Sequence, residues 1–161
     1  MVTVFELLFM HVHRKDTLNL NDELWMVIDL DQWPNKDLSE VASKCNHKKY
    51  KLAVSNPCFE IWLLLHVKDI SDYSEEKIQK LSLNKNKILD SELRKILGSY
   101  NRANLDTSKF LPHVVKAVER ARKFDEEPND RWPQSIGTKI FSSPFSKIIN
   151  IFIIFSALID K

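Results

Sequence analysis

The chain has only two glycines in 161 residues, Gly98 and Gly137. Neither sits in a GxGxxG or a Walker loop, so the sequence offers no backbone cradle for a nucleoside triphosphate, and an ATPase is excluded. Cysteine is equally scarce. Cys45 and Cys58 form no CxxC pair, which argues against a structural zinc site and against a disulfide framework. With no secretory pattern ahead of the first polar segment, a reducing cytoplasm is the expected setting. An excess of one charge is missing too: 24 basic residues face 22 acidic ones for a net charge of +2, which by itself names no partner.

What is present is the make-up of an ordinary globular domain, 43% hydrophobic and 29% charged, sufficient for one core. The expected layout is a single domain over residues 1–143 and an apolar tail over 144–161. From Ile148 to Ile159 only Asn150 and Ser156 are polar. A helix of that length spans about 18 Å against about 30 Å of bilayer hydrocarbon, so no membrane span is expected. A core helix or buried strand, an interface for a partner chain and a disordered or aberrant terminus all stay open for it, and a homo-oligomer stays open for the chain.

Periodicity places the elements. Met1 to Val12 is apolar and fits strand or helix. Leu24 to Leu30 is a nearly unbroken apolar run of strand length, which predicts a central strand covered on both faces. Trp33-Pro34-Asn35 breaks the chain. Asp37 then predicts a helix whose Leu38, Val41, Ala42 and Cys45 recur at core-facing spacing. Lys51 to Val54 reads as a second strand, so strand, helix and strand form a right-handed βαβ unit. Ser55-Asn56-Pro57 predicts a helix start with Asn56 as N-cap and Pro57 at the first position, and Cys58 to Val67 is apolar almost all round. Weaker helices are expected near Glu75 to Leu81 and Leu89 to Leu97. Another begins at Pro112 and turns Val115, Val118, Ala117 and Ala121 inward.

The residues with chemical potential gather at strand ends. Asp29 and Asp31 are two apart at the end of the first strand, so alternation points both carboxylates to one face. Such a pair repels unless a positive group lies between its members. Mg²⁺ or Mn²⁺ is the expected answer, because a hard cation takes one or two carboxylates plus water and a substrate phosphate. Neighbouring parallel strands open onto one crevice, so Asp29, Asp31, Ser55, Asn56 and Glu60 are expected to converge. Glu60 is then a third ligand, a general base for water, or merely an acid offsetting its helix N-terminus. Tyr100 and Arg102, in a polar stretch after Gly98, are candidates to hold a phosphate. The basic residues Lys77, Lys80, Lys85, Lys87, Arg94 and Lys95 fit either a phosphate-binding face or solvated helices. His66, one turn beyond Trp62, reads as a packed histidine.

Several blocks together resemble the RloB-like family, whose members look like Toprim-related phage-defence proteins. They are Leu24 to Asp31 (LWMVIDLD), Ala53 to His66 (AVSNPCFEIWLLLH), Gly98 to Arg102 (GSYNR), Ala117 with Ala121, Trp132-Pro133 and Gly137-Thr138. The resemblance spans about residues 20 to 141. It implies an α/β, Toprim-like parallel sheet flanked by helices, with Asp29 and Asp31 as the metal pair holding Mg²⁺ or Mn²⁺. It further implies that Asn56 and Glu60 belong to the crevice motif and that Arg102 stands where such proteins commonly show lysine, so the expected catalytic set is Asp29, Asp31 and Glu60, with Ser55, Asn56, Tyr100 and Arg102 at the substrate. The activity implied is a metal-dependent nuclease acting on RNA (tRNA) or DNA in antiphage defence and abortive infection, beside an ATPase partner of AAA or ABC type. The alternative is a catalytically silent module that docks on such a partner or another subunit. The family pattern also carries a glutamate at the end of a first strand, in a Cys-Glu-Gly-like segment that nothing here matches. Glu6 lies in an apolar stretch without the glycine, so the domain is expected to be N-terminally shortened.

Overall fold

The computed structural model describes residues 25–32 and 35–142. Met1 to Val12 with Glu6, then Trp33, Pro34 and the expected tail 144–161, lie outside the described residues. The chain divides into two compact units, Met1–Met26 with Asn35–Leu52 and Val27–Pro34 with Ala53–Lys161.

In the first unit the main element is helix α1, Asn35–His47. Leu38, Val41, Ala42 and Cys45 are buried as a single stripe, as the spacing predicts. The helix closes without a glycine. Tyr50 N–H reaches back to the Cys45 carbonyl at 2.8 Å and Lys49 N–H to that of Asn46 at 3.1 Å. Lys49 takes the left-handed conformation, φ 59°, that this pair of bonds demands.

The second unit holds the core. Strands β1, Trp25–Asp29, and β2, Lys51–Asn56, each begin in the first unit and pass into the second; β3, Gly137–Thr138, completes a sheet of order β1-β2-β3. Because β2 and β3 run antiparallel, the sheet is mixed rather than parallel throughout. Only two residues of the Gly137 segment pair, in the register Ser55↔Thr138 and Asn56↔Gly137.

Helix α2, Glu60–Val67, is the hub. Ile61 to Leu65 are all at most 1% exposed, and α2 packs against α5, Val114–Phe124, and α4, Ile88–Leu97. Helix α3 is Glu75–Leu83, opened by Ser74, whose hydroxyl accepts from Lys77 N–H. Two sequence expectations need correction. Asn56 is a strand residue, not an N-cap: α2 starts three residues beyond Pro57, after Phe59, with no side-chain cap, and the Asn56 amide is spent on β3's approach. On α5 the inward residues are Val114, Ala117 and Ala121, while Val115 is 55% exposed. The Leu111–His113 turn precedes the helix and shifts its face by one residue.

The open C-terminal carbonyls of α2 are met from α5. Arg120 donates from Nη1 to the Leu65 carbonyl at 2.6 Å and the His66 carbonyl at 3.1 Å, placing a cation where the helix dipole is negative. Arg120→Ala should therefore cost about 1–2 kcal/mol, read as a lower urea midpoint with unchanged slope. A loss no larger than that of an exposed Arg122→Ala control would refute this role.

Candidate functional site

The end of β1 delivers Asp29 to the start of α2. Its Oδ1 accepts from Phe59 N–H at 2.7 Å, a charge-assisted bond to one of the helix's unpaired first amides. Its Oδ2 accepts from Arg102 Nη2 at 2.6 Å. The other guanidinium nitrogen, Nη1, lies 3.3 Å from Glu60 Oε1, which also accepts from the Tyr100 hydroxyl at 2.9 Å. Four residues from three places in the chain thus form one network: Asp29, Glu60, and Tyr100 with Arg102.

Burial grades this network. The Glu60 side chain is fully enclosed, that of Asp29 is 12% exposed and that of Arg102 is 41% exposed. Glu60 Oε2 is buried with no hydrogen-bond partner, an expensive state for a carboxylate oxygen. Burial pushes the Asp29 carboxyl up, and the Arg102 guanidinium and Phe59 N–H offset only part of that. For Arg102, burial opposes the charged form, but the Glu60 and Asp29 carboxylates outweigh it and hold the guanidinium protonated. Tyr100 and Cys58 are both pushed up, first by burial and then by the Glu60 charge. Both stay protonated at neutral pH. Asp90 on α4 joins the same field, its carboxyl raised by burial and by Glu60. Nothing in the sequence singled it out, since an acid beside Leu89 on an amphipathic helix looks like a solvated face.

The other expected members are placed differently. Asp31 lies past the strand in a 3-10 turn, Leu30–Gln32, and is exposed, so strand alternation does not govern its direction. Its backbone N–H bonds the Pro57 carbonyl at 3.0 Å, tying the turn to the segment that leads into α2. Ser55 is fully buried, its hydroxyl 2.8 Å from that of Thr138. Asn56 donates from Nδ2 to the Pro133 and Gln134 carbonyls, each at 3.2 Å. Ser55 and Asn56 thus fasten β2 to the approach of β3.

A hard divalent cation takes carboxylate oxygens of the kind that Asp29, Asp31 and Glu60 carry. Among the described residues no three His, Cys, Asp or Glu side chains gather into a metal-holding cluster. Between Asp29 and Glu60 the positive charge is supplied by Arg102. Also among the described residues, no helix is long and apolar enough to cross a membrane.

A model of the family described as RloB-like protein matches residues 2–151, a wider span than the blocks Leu24 to Thr138 that carry the resemblance. Neither a curated protein nor a solved structure matches the chain. With nearly its whole length matched, the chain belongs to the RloB-like protein family.

Proposed function

We propose that the crevice at the end of β1 serves a divalent-metal-dependent nuclease that cuts phosphodiester bonds of RNA or DNA, as an effector of antiphage defence within a Toprim-like fold. The observation that carries this reading is the Glu60 carboxylate, wholly buried beside Asp29 with one oxygen unmatched. A purely structural acid would find partners for both oxygens or be replaced by an apolar residue; a reactive one is kept under tension. Asp29 and Asp31 are the oxygen ligands on this reading, and Mg²⁺ or Mn²⁺ would supply charge stabilisation at the phosphate. Glu60, held by the Tyr100 hydroxyl, accepts the proton of the attacking water. Arg102 meets a phosphate oxygen, while Ser55 and Asn56 keep β2 fastened to the approach of β3. Since these 161 residues carry no nucleotide loop, activation falls to an ATPase partner.

The test uses end-labelled tRNA and DNA incubated with the purified chain in Mn²⁺ or Mg²⁺ and again with EDTA. Cleavage should require the metal and fall about 100-fold in Glu60→Gln and Asp29→Ala. Equal, metal-independent background in every sample would overturn the reading. The closed Asp29–Arg102–Glu60 network favours a second one, a silent module that docks on its partner. It predicts undiminished ATPase co-purification in those variants with no cleavage in any.

A further inference from the structure

We infer that Lys87 and Arg94, on the face of α4 that borders Glu60, grip the phosphate backbone of a nucleic-acid strand. The inference deepens the reading above and takes the substrate class from it. It starts from helix spacing. Lys87, Asp90 and Arg94 stand at i, i+3 and i+7 and so share one face of α4. Asp90 locates that face, because its carboxyl lies in the fields of Glu60, Arg94, Lys87 and Arg102 together. Two cations against one acid leave the face positive. A phosphodiester needs that charge here, since the Asp29 and Glu60 carboxylates repel it and Arg102 offsets only one of them.

Arg94 is held in place with its charge unspent. Its Nε donates to the Tyr100 carbonyl at 3.3 Å, and the hydroxyl of the same tyrosine is on Glu60. One residue thus fixes the guanidinium relative to the carboxylate. Among the described residues the two terminal nitrogens of Arg94 have no acceptor, and Asp90, one turn earlier, forms no ion pair with it. A guanidinium bonded at Nε and open at both Nη atoms presents the planar fork that matches a phosphate.

Lys87 is fixed through the turn before it. Asn84, Asn86 and Lys87 all take left-handed φ, at 44°, 55° and 54°, a strained run for residues with a side chain. Asn84 holds it: Oδ1 accepts from Leu89 N–H at 3.2 Å and Nδ2 donates to Cys58 Sγ at 3.3 Å, two residues from Glu60. The turn sets an exposed lysine at the start of α4, where the helix dipole is positive. Its side chain has no hydrogen bond or ion pair among the described residues, so a bound anion would relieve both charges at once.

Fluorescence anisotropy of short labelled RNA and DNA strands with the full chain, in EDTA and from about 50 to 200 mM salt, tests this without cleavage. Arg94→Gln should weaken binding about tenfold, and Lys87→Gln and Arg94→Gln should each flatten the slope of log affinity against log salt by about 0.7. Arg94→Lys should keep the slope and lose part of the affinity, because an ammonium has no fork. Lys123→Gln, at the opposite end of α2, should match wild type. Circular dichroism checks folding, and Lys87→Gln with Arg94→Lys decides if Arg94→Gln does not fold. Unchanged slopes in the α4 variants, an equal loss in Lys123→Gln, or no binding by wild type overturns the inference. Binding that depends on both cations in a chain that never cleaves under Mn²⁺ keeps the inference and sinks the nuclease reading; cleavage indifferent to both does the reverse.

Discussion

Lys139→Met is expected to destabilise the protein by about 3–5 kcal/mol, the range for breaking a buried pair from one side. Lys139 and Asp125 have side-chain exposures of 7% and 8%. The ammonium donates to both Asp125 oxygens, at 2.8 and 2.7 Å, and to the Glu127 carbonyl at 2.9 Å. All three ammonium hydrogens thus have acceptors. Methionine keeps most of the stem's volume and removes the charge, leaving Asp125 enclosed without a counter-ion at the end of α5. Lys139 also donates its backbone N–H to the Val54 carbonyl at 2.9 Å, so the pair connects α5 to the strand that leads to the site. Urea unfolding at pH 7 reads the loss, and adding Asp125→Asn should restore most of it. A loss below about 1 kcal/mol, typical of an exposed pair, would contradict the assignment.

Acidification is expected to take about 3 kcal/mol from the folded state through His66 alone. The ring is 1% exposed, sits edge-on to Trp62 and Phe110 with centroids 4.6 and 5.8 Å away, and bonds the Trp62 carbonyl through Nδ1 at 2.8 Å. Burial is the main cause that pushes it down to about 4, against an ordinary value of 6.5. Above pH 6.5 the ring is neutral in both states and its full contribution is present. Between 6.5 and about 4 only the unfolded chain takes up the proton, so stability falls with falling pH. Asp29 acts in the opposite sense: its raised carboxyl gives back stability as pH drops through its folded value. Comparing wild type with His66→Phe at pH 7, 5.5 and 4.5 cancels that and other shared effects. Parallel stability curves would sink the prediction.

The elements were legible where one physical signal dominated. The unbroken apolar run ending at Leu30 and the stripe Leu38, Val41, Ala42, Cys45 became β1 and α1 within a few residues. The all-apolar Ile61 to Leu65 became the buried hub. Prediction failed where two signals competed. Asn56-Pro57 has the chemistry of a helix start, yet the pairing of β2 with β3 keeps Asn56 in the strand. Val114 and Val115 are equally apolar, and only the turn before them decides which faces inward. Of the five residues expected to converge, the network holds Asp29 and Glu60, joined by Tyr100 and Arg102, while Asp31 lies in the turn beyond β1 and Ser55 and Asn56 bond the approach of β3. That Arg102 bridges the acids was not legible, because a contact across 73 positions leaves no local trace. Asp31 was read through strand periodicity, which ends at Asp29.

The separations within the network fix a timetable. Glu60 and Tyr100 are 40 positions apart, Asp29 and Arg102 73, Ser55 and Thr138 83. A ribosome releases both acids well before the arginine that bridges them, and β2 lacks its antiparallel neighbour until Thr138 has emerged. Closing such long loops is slow and comes late in folding. The network is therefore complete only once Arg102 has emerged, and fragments from synthesis stalled before residue 100 contain the acids without the residues that hold them.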